Sequence, residues 1–130
     1  MKLLFSCKPS PGQNYNTTFR AVNINIKHLK KKFDLYLLII FEKKYEKKII
    51  NKIIKNFTKL GIKRNKIYFI CNYYENYFTK VFKYLEYLIL KLKIPLIYSK
   101  KINKILINNK IKVFYDFMNC SDYLLKIKHV

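Results

Sequence analysis

The residues of this chain that could serve as catalytic groups are few and scattered. None of its seven carboxylates pairs with another at a spacing typical of an active site. Glu42 and Glu46 lie one helical turn apart, but at the start of a helix they are better explained as favourable partners of the helix dipole. His28 lies in a basic connector and His129 near the end of the sequence. We therefore expect no enzyme activity.

Metal and cofactor sites are not predicted either. Cys7, Cys71 and Cys120 are odd in number and far apart, which argues against a disulfide framework and against paired metal ligands. This cysteine usage favours a reducing compartment. Gly12 and Gly61 are isolated, so the sequence has no glycine-rich phosphate loop. We expect no cofactor, no metal and no small-molecule substrate.

Charge is the strongest signal in the sequence. The 130 residues carry 28 Lys plus Arg against 7 acidic residues, a net charge of +21, while 51% apolar residues suffice for a core. Self-repulsion of this size opposes folding unless a polyanion neutralises it. Nucleic acid fits best, because Lys and Arg bound to phosphates release counterions. An AT-biased genome explains why Lys replaces Arg, but it leaves the scarcity of acidic residues unexplained.

Basic residues cluster at several points, and one cluster lies directly before an aromatic strand. Lys63, Arg64 and Lys66 occupy a predicted loop ahead of Tyr68 and Phe69, and we predict that these cations contact phosphates. The two rings are expected to alternate faces, mainly packing rather than stacking on bases. The other clusters predicted to contact RNA phosphates are Lys30, Lys31 and Lys32, then Lys43 and Lys44, Lys47 and Lys48, and Lys100 and Lys101.

The spacing of apolar residues indicates some of the helices and strands that must position these basic residues. Residues 1–33 are predicted to form an N-terminal arm and basic connector, with a short strand at 19–26. "LYLLIIF" (35–41) is a buried strand or the start of a long helix. A helix over 42–60 places apolar residues on one face and lysines on the other, and Gly61 caps it.

The second half continues with a strand and a second helix. "KIYFIC" (66–71) predicts a strand, and apolar spacing over 78–92 predicts an amphipathic helix that ends before Pro95. A hairpin is expected around an "NN" turn at 108–109, then a helical turn at 121–128. The prediction is an α+β fold, with two amphipathic helices packed on a small mixed sheet and residues 34–130 as one RNA-binding domain.

Two motifs give the first half a family resemblance. The opening carries Gly12-Gln13, Asn16 and Phe19-Arg20, and a basic helix later ends in a glycine-isoleucine turn before a strand, "KKIINKIIKNFTKLGIKRNKIYFI" (47–70). Over residues 12–71 the chain resembles the KH-domain family of small-subunit ribosomal proteins, protein three. The resemblance implies a degenerate KH-like domain in the head of the small subunit, with Arg20 and its neighbours in an arm that touches ribosomal RNA.

The sequence also departs from that family. No glycine follows Gly61, so the GXXG loop that grips RNA in a KH fold is absent. The family's usual C-terminal domain has no counterpart, and a truncated or split version is expected.

Composition and resemblance together predict a structural protein of a mitochondrial ribosome in the matrix, with ribosomal RNA and neighbouring ribosomal proteins as partners. It is not expected to form a free homo-oligomer. The start of the sequence resembles neither a secretory nor an import signal, which suggests synthesis inside the organelle. No apolar run approaches the ~20 residues needed to cross a bilayer. The alternatives are a peripheral subunit of an inner-membrane respiratory complex and a free RNA-binding factor.

Overall fold

Four parallel strands in the order β3-β2-β1-β4 form the centre of the protein. A computed structural model describes residues 1–8, 15–41, 45–71, 81, 84–85, 88–89 and 96–117. The strands are β1 (Lys2–Cys7), β2 (Asp34–Phe41), β3 (Ile67–Cys71) and β4 (Val113–Asp116). In register, Lys2 lies beside Asp34, Leu3 beside Val113, and Leu37 beside Ile67.

Helices link the strands and cover both faces of the sheet. They are α1 (Tyr15–Leu29), α2 (Lys47–Lys59) and α3 (Leu96–Asn108), with a 3-10 turn at Arg64–Lys66. The crossovers from β1 to β2 and from β2 to β3 step the same way across the sheet, so the usual right-handed connection puts α1 and α2 on one face. Strand β4 lies on the other side of β1, and α3 accordingly packs on the opposite face.

Two hydrophobic cores result, one on each face. In the first, Phe19 and Ile26 of α1 and Ile53 and Phe57 of α2 cover the side of the sheet that includes Phe5. A reciprocal pair of amide hydrogen bonds between Asn23 and Asn56, at 3.0 and 3.3 Å, also joins α1 to α2. In the second core, the buried side chains are contributed by the sheet, α3 and the loop after α3: Leu4, Tyr36, Leu38, Ile40, Ile70, Ile102, Leu106 and Ile111.

The predicted α+β domain of helices packed on a small sheet is confirmed, as is the strand at 66–71. The helix predicted over 42–60 is present as Lys47–Lys59, and the run at 35–41, for which strand and helix were both open, is a strand. In the described residues the sheet is parallel throughout, not mixed. β2 is buried along nearly its whole length. Such a continuous apolar run is typical of a parallel strand covered on both faces.

Three local predictions differ from the structure. The strand at 19–26 is wrong, since these residues lie within α1. The hairpin around 108–109 is also wrong, because helix α3 precedes that turn and β4 pairs in parallel with β1. Residues 1–33 do not form an arm in their described parts, because β1 lies between β2 and β4 at the centre of the sheet.

Two other predictions fall partly or wholly outside the described residues. In the helix predicted over 78–92, the positions described are helical and exposed: Val81, Tyr84, Leu85, Leu88 and Ile89. The predicted helical turn at 121–128 lies outside the described residues.

Candidate nucleic-acid interface

One edge of the sheet gathers the basic residues of three separate loops. In a parallel sheet the connection from each helix to the next strand arrives at the amino ends of the strands. The loops after α1, α2 and α3 therefore meet at one edge, where β1 also begins. We define the amino-edge surface as the cations at this edge, namely Lys2, Lys30, Lys31, Lys32, Lys63, Arg64, Lys66, Lys110 and Lys112.

The loop after α2 is shaped by a glycine-dependent helix end. Gly61 has φ +88°, in the left-handed region that favours glycine. Its N–H donates to the carbonyl of Thr58 at 2.9 Å, and the Ile62 N–H donates to the carbonyl of Phe57 at 3.2 Å. This pair of bonds is a Schellman motif. The side chain of Ile62 is buried, and Lys63 follows it exposed to solvent.

Helix α3 ends in the same way, with a lysine in the glycine position. Lys110 has φ 53°, its N–H donates to the carbonyl of Ile107 at 3.0 Å, and the Ile111 N–H donates to Leu106 at 2.8 Å. Ile111 is buried and Lys112 is exposed. Two helix ends thus use a buried isoleucine to place an exposed lysine at the same edge of the sheet.

Lys30 connects the first loop to the second. Its Nζ donates to the carbonyl of Leu60 at 2.6 Å, where α2 ends. A cavity of about 190 Å³ opens beside this bond, and its lining includes Lys30, Phe33, Lys63 and Lys66. Lysines from two loops therefore line one recess together with Asp34, the ion-pair partner of Lys66, and the excess of positive charge there favours a phosphate group.

Two cations of the amino-edge surface, Lys2 and Lys66, lie close to the Tyr36 ring. Lys66 Nζ is 5.1 Å from the centre of this buried ring, and Lys2 Nζ is 5.9 Å from it. Lys66 also forms an ion pair with Asp34, and Lys2 donates to the carbonyl of Asn109 at 2.8 Å. These contacts fix both ammonium groups, because each has a ring and an oxygen as neighbours.

Four other cations of the amino-edge surface differ in how many contacts hold their side chains. The Arg64 guanidinium lies 5.4 Å from the centre of the Phe69 ring and donates to the carbonyl of Ile67 at 3.4 Å. Lys31, Lys32 and Lys63 are exposed. The amino-edge surface thus combines anchored cations, which set its shape, with exposed lysines that can reach phosphates.

The structure separates the other predicted contacts from this edge. Lys47 and Lys48 are exposed at the start of α2, on the carboxyl edge of the sheet, and Lys43 and Lys44 lie outside the described residues. Arg20 is exposed on α1, nine residues before the helix ends, which at 1.5 Å per residue is roughly 13 Å away along the axis. Lys100 and Lys101 are exposed on α3, roughly 11 Å before its end. Conversely, the amino-edge surface includes three lysines that the sequence analysis did not predict as RNA contacts: Lys2, Lys110 and Lys112. The repeated pattern of an isoleucine followed by a lysine at 62–63 and 111–112 is the signal that could have found the last of them.

The charge at the two edges of the sheet is unequal. Among the described carboxylates, Asp34 is the one at the amino edge, whereas Glu46 and Asp116 lie at the carboxyl edge. Neighbouring strands are about 4.8 Å apart, so the four strand ends span roughly 14 Å. Since the Debye length is about 8 Å at physiological salt, cations at neighbouring strand ends repel one another appreciably, whereas those at opposite ends of the edge are largely screened. A bound polyanion would relieve that repulsion.

The part of the chain that the structure describes contains no group of three His, Cys, Asp or Glu side chains placed to hold a metal ion. Within the same residues, no helix combines the length and the apolar character needed to cross a membrane. Comparison with protein-family models, with curated proteins and with solved structures found no match for this chain.

Proposed function

We propose that this protein is a structural RNA-binding component of a ribosomal small subunit, specifically a mitochondrial one, and that its amino-edge surface contacts ribosomal RNA. One observation carries the proposal: three loops distant in sequence, together with the start of β1, bring nine cations and a single described carboxylate to one edge of the parallel sheet. Phosphate contacts of this kind position a protein on RNA without reading its sequence. The function is charge neutralisation and shape recognition.

The rigidity of the edge supports this role. Lys30, Lys66 and Lys2 are each tied to a neighbouring element by a hydrogen bond or an ion pair. Fewer side-chain degrees of freedom then remain to be lost when a phosphate binds, so less of the interaction energy is spent on ordering the surface. The exposed lysines beside them add counterion release.

An exposed apolar face supports the part of the proposal that concerns neighbouring proteins. Residues at positions 81, 84, 85, 88 and 89 share one helical face and are apolar or aromatic, with exposed fractions from 37% to 75%. A grouped apolar face of this kind marks an interaction surface. The same observation favours the second candidate function, a peripheral subunit of an inner-membrane respiratory complex.

Sedimentation of the native complex separates the two functions. The ribosomal proposal predicts that the protein sediments with the small subunit at low salt. It also predicts that RNase treatment or high salt shifts the protein to lighter fractions. Migration with a detergent-solubilised membrane complex, indifferent to RNase, would refute the proposal and support the respiratory alternative. Stoichiometric presence in purified small subunits distinguishes a ribosomal component from a free RNA-binding factor.

A further inference from the structure

A groove on the second face of the sheet lies between α3 and the edge strand β3. Its volume is about 440 Å³, within the size range of sites that enclose small ligands. The lining combines an aromatic ring, an aliphatic side chain, two lysines and two amides, contributed by Tyr68, Ile105, Lys101, Lys104, Asn108 and Asn109. This composition matches the chemistry of a nucleotide, which has an aromatic base, hydrogen-bonding edges and a phosphate.

The aromatic ring in the groove is held in place. Asn109 Nδ2 donates to the Tyr68 hydroxyl at 3.0 Å and to the carbonyl of Ile105 at 2.8 Å. Tyr68 is half-buried, and its ring packs against the second hydrophobic core. A ring already fixed in this way loses little conformational freedom when a base stacks on it.

The helix supplies charge and amide groups on one face. Positions 101, 104, 105 and 108 follow the spacing of residues that share a helical face. Lys101, Lys104 and Asn108 are exposed. The two lysines can contact a phosphate, and the Asn108 amide can both donate to and accept from the edge of a base.

The groove also adjoins the amino-edge surface. Asn109, which holds the Tyr68 ring, accepts a hydrogen bond from Lys2 through its carbonyl, and Lys110 follows it. An RNA strand whose phosphates contact Lys2 and Lys110 is therefore beside the groove.

From these contacts we propose that the groove between α3 and β3 receives an unpaired nucleotide of the bound RNA, with its base stacked on Tyr68 and its phosphate near Lys101 and Lys104. The inference rests on the proposed RNA-binding function and adds a preference for single-stranded segments. Free nucleotides share the same chemistry, but the continuity with the amino-edge surface favours a nucleotide within a strand.

The test compares two RNA ligands and matched tyrosine variants. Fluorescence anisotropy measures binding of a single strand of about 12 nucleotides and of a duplex of the same sequence. Stacking is worth about 1–3 kcal/mol per base, so Tyr68→Leu should weaken single-strand binding about 5- to 150-fold and leave duplex binding unchanged. Tyr68→Phe should retain most of the affinity. Tyr115→Leu is the control, because it removes an exposed ring from β4, the opposite edge strand.

Several results would overturn the inference. One is that Tyr68→Leu binds the single strand as well as Tyr115→Leu does, and another is that it weakens single strand and duplex equally. A third is that adenosine monophosphate alone binds as tightly as the strand, which would make the groove a free-nucleotide site. If Tyr68→Leu does not fold by circular dichroism, crosslinking of a 4-thiouridine strand to the unaltered protein decides. Adducts on Tyr68 or on α3 support the groove, and adducts confined to other elements refute it.

The two proposals fail in different ways. If the unaltered protein binds neither single strand nor duplex, the RNA-binding function itself is refuted. If it binds both and loses affinity when amino-edge lysines are removed, but is insensitive to Tyr68→Leu, only the groove inference is refuted.

Discussion

Removing the exposed lysines of the amino-edge surface should flatten the salt dependence of RNA binding. The variant is Lys31→Ala, Lys32→Ala, Lys63→Ala, because these side chains are exposed on two of the three loops. Alanine at Arg64 or Lys66 would change internal contacts of the loop as well as its charge, since Arg64 lies against the Phe69 ring and Lys66 pairs with Asp34. Any loss of binding there could reflect a change in the loop itself.

The magnitude follows from counterion release. Each lost phosphate contact reduces the slope of log K against log salt by about 0.7 for single strands and about 0.9 for duplexes. Three contacts therefore reduce it by about 2 to 3 units. The salt concentration rises fourfold between about 50 and 200 mM. Over this range the factor by which the affinity falls should be about 20 to 40 times smaller for the variant than for the unaltered protein.

The assay is fluorescence anisotropy with one RNA at four or five salt concentrations. The matched control removes the same charge elsewhere, through Lys47→Ala, Lys48→Ala, Lys52→Ala. These lysines are exposed on α2, which begins at the carboxyl edge of the sheet. The control should keep a slope close to that of the unaltered protein. Equal flattening in both variants would refute the reasoning, because binding would then depend on total charge and not on the amino-edge surface.

Three further predictions concern single residues, with stability measured by urea unfolding. Gly61→Ala should lower the free energy of unfolding by about 1–2 kcal/mol, since φ is +88° and the new Cβ would lie 3.1 Å from Lys30 Nζ; an unchanged midpoint would contradict the helix-end geometry. Ser6→Ala should cost about 1.5–3 kcal/mol, because the buried Ser6 hydroxyl donates to Asp116 Oδ1 at 2.7 Å; a cost below about 0.5 kcal/mol would refute that role. Asp34→Asn should tighten RNA binding about twofold, as expected for unit charges roughly 8 Å apart in water. Its ion pair is 43% exposed on the Asp34 side, so stability should change by less than about 1 kcal/mol. Weaker RNA binding by this variant would contradict the assigned surface.

The elements with a strong periodic signal were predictable. Helix α2 carries apolar residues at helical spacing, of which Ile53 and Phe57 are buried, and Gly61 marks its end. The run at 35–41 left strand and helix open, and the structure decides for β2. These elements are specified locally, so a single sequence suffices to find them.

The N-terminal half shows where local patterns fail. In α1 the buried residues Phe19, Val22 and Ile26 fit a helix, but the same stretch also alternates well enough to suggest a strand. Ile24 continues that alternation in the sequence, but its side chain is exposed in the structure, as the helical spacing of the buried residues requires. The deciding factor is topological, because parallel strands β1 and β2 need a crossover between them. Strand β1 was missed for a related reason, since its partner β4 is more than 100 residues away.

The sequence predicted some of the basic residues of the amino-edge surface, but not that they lie together. Its clusters at Lys30–Lys32 and Lys63–Lys66 were each visible in the sequence, but their proximity was not. That proximity depends on all the strands running parallel, which brings the loops to one edge, and on the bond from Lys30 to the carbonyl of Leu60. The KH-domain resemblance stays a hypothesis. Gly12 and Gln13 lie outside the described residues, and the parallel sheet is not the mixed sheet expected with it.

The most direct test of the central claim is ultraviolet crosslinking of the native complex, followed by mapping of nucleotide-bearing peptides. The account predicts adducts on peptides that cover residues 29–36 and 60–68, which include two of the three loops of the amino-edge surface. Adducts confined to peptides at the carboxyl edge, such as the start of α2, would contradict it. A complete absence of adducts, with the protein still in the complex after RNase treatment, would contradict it equally.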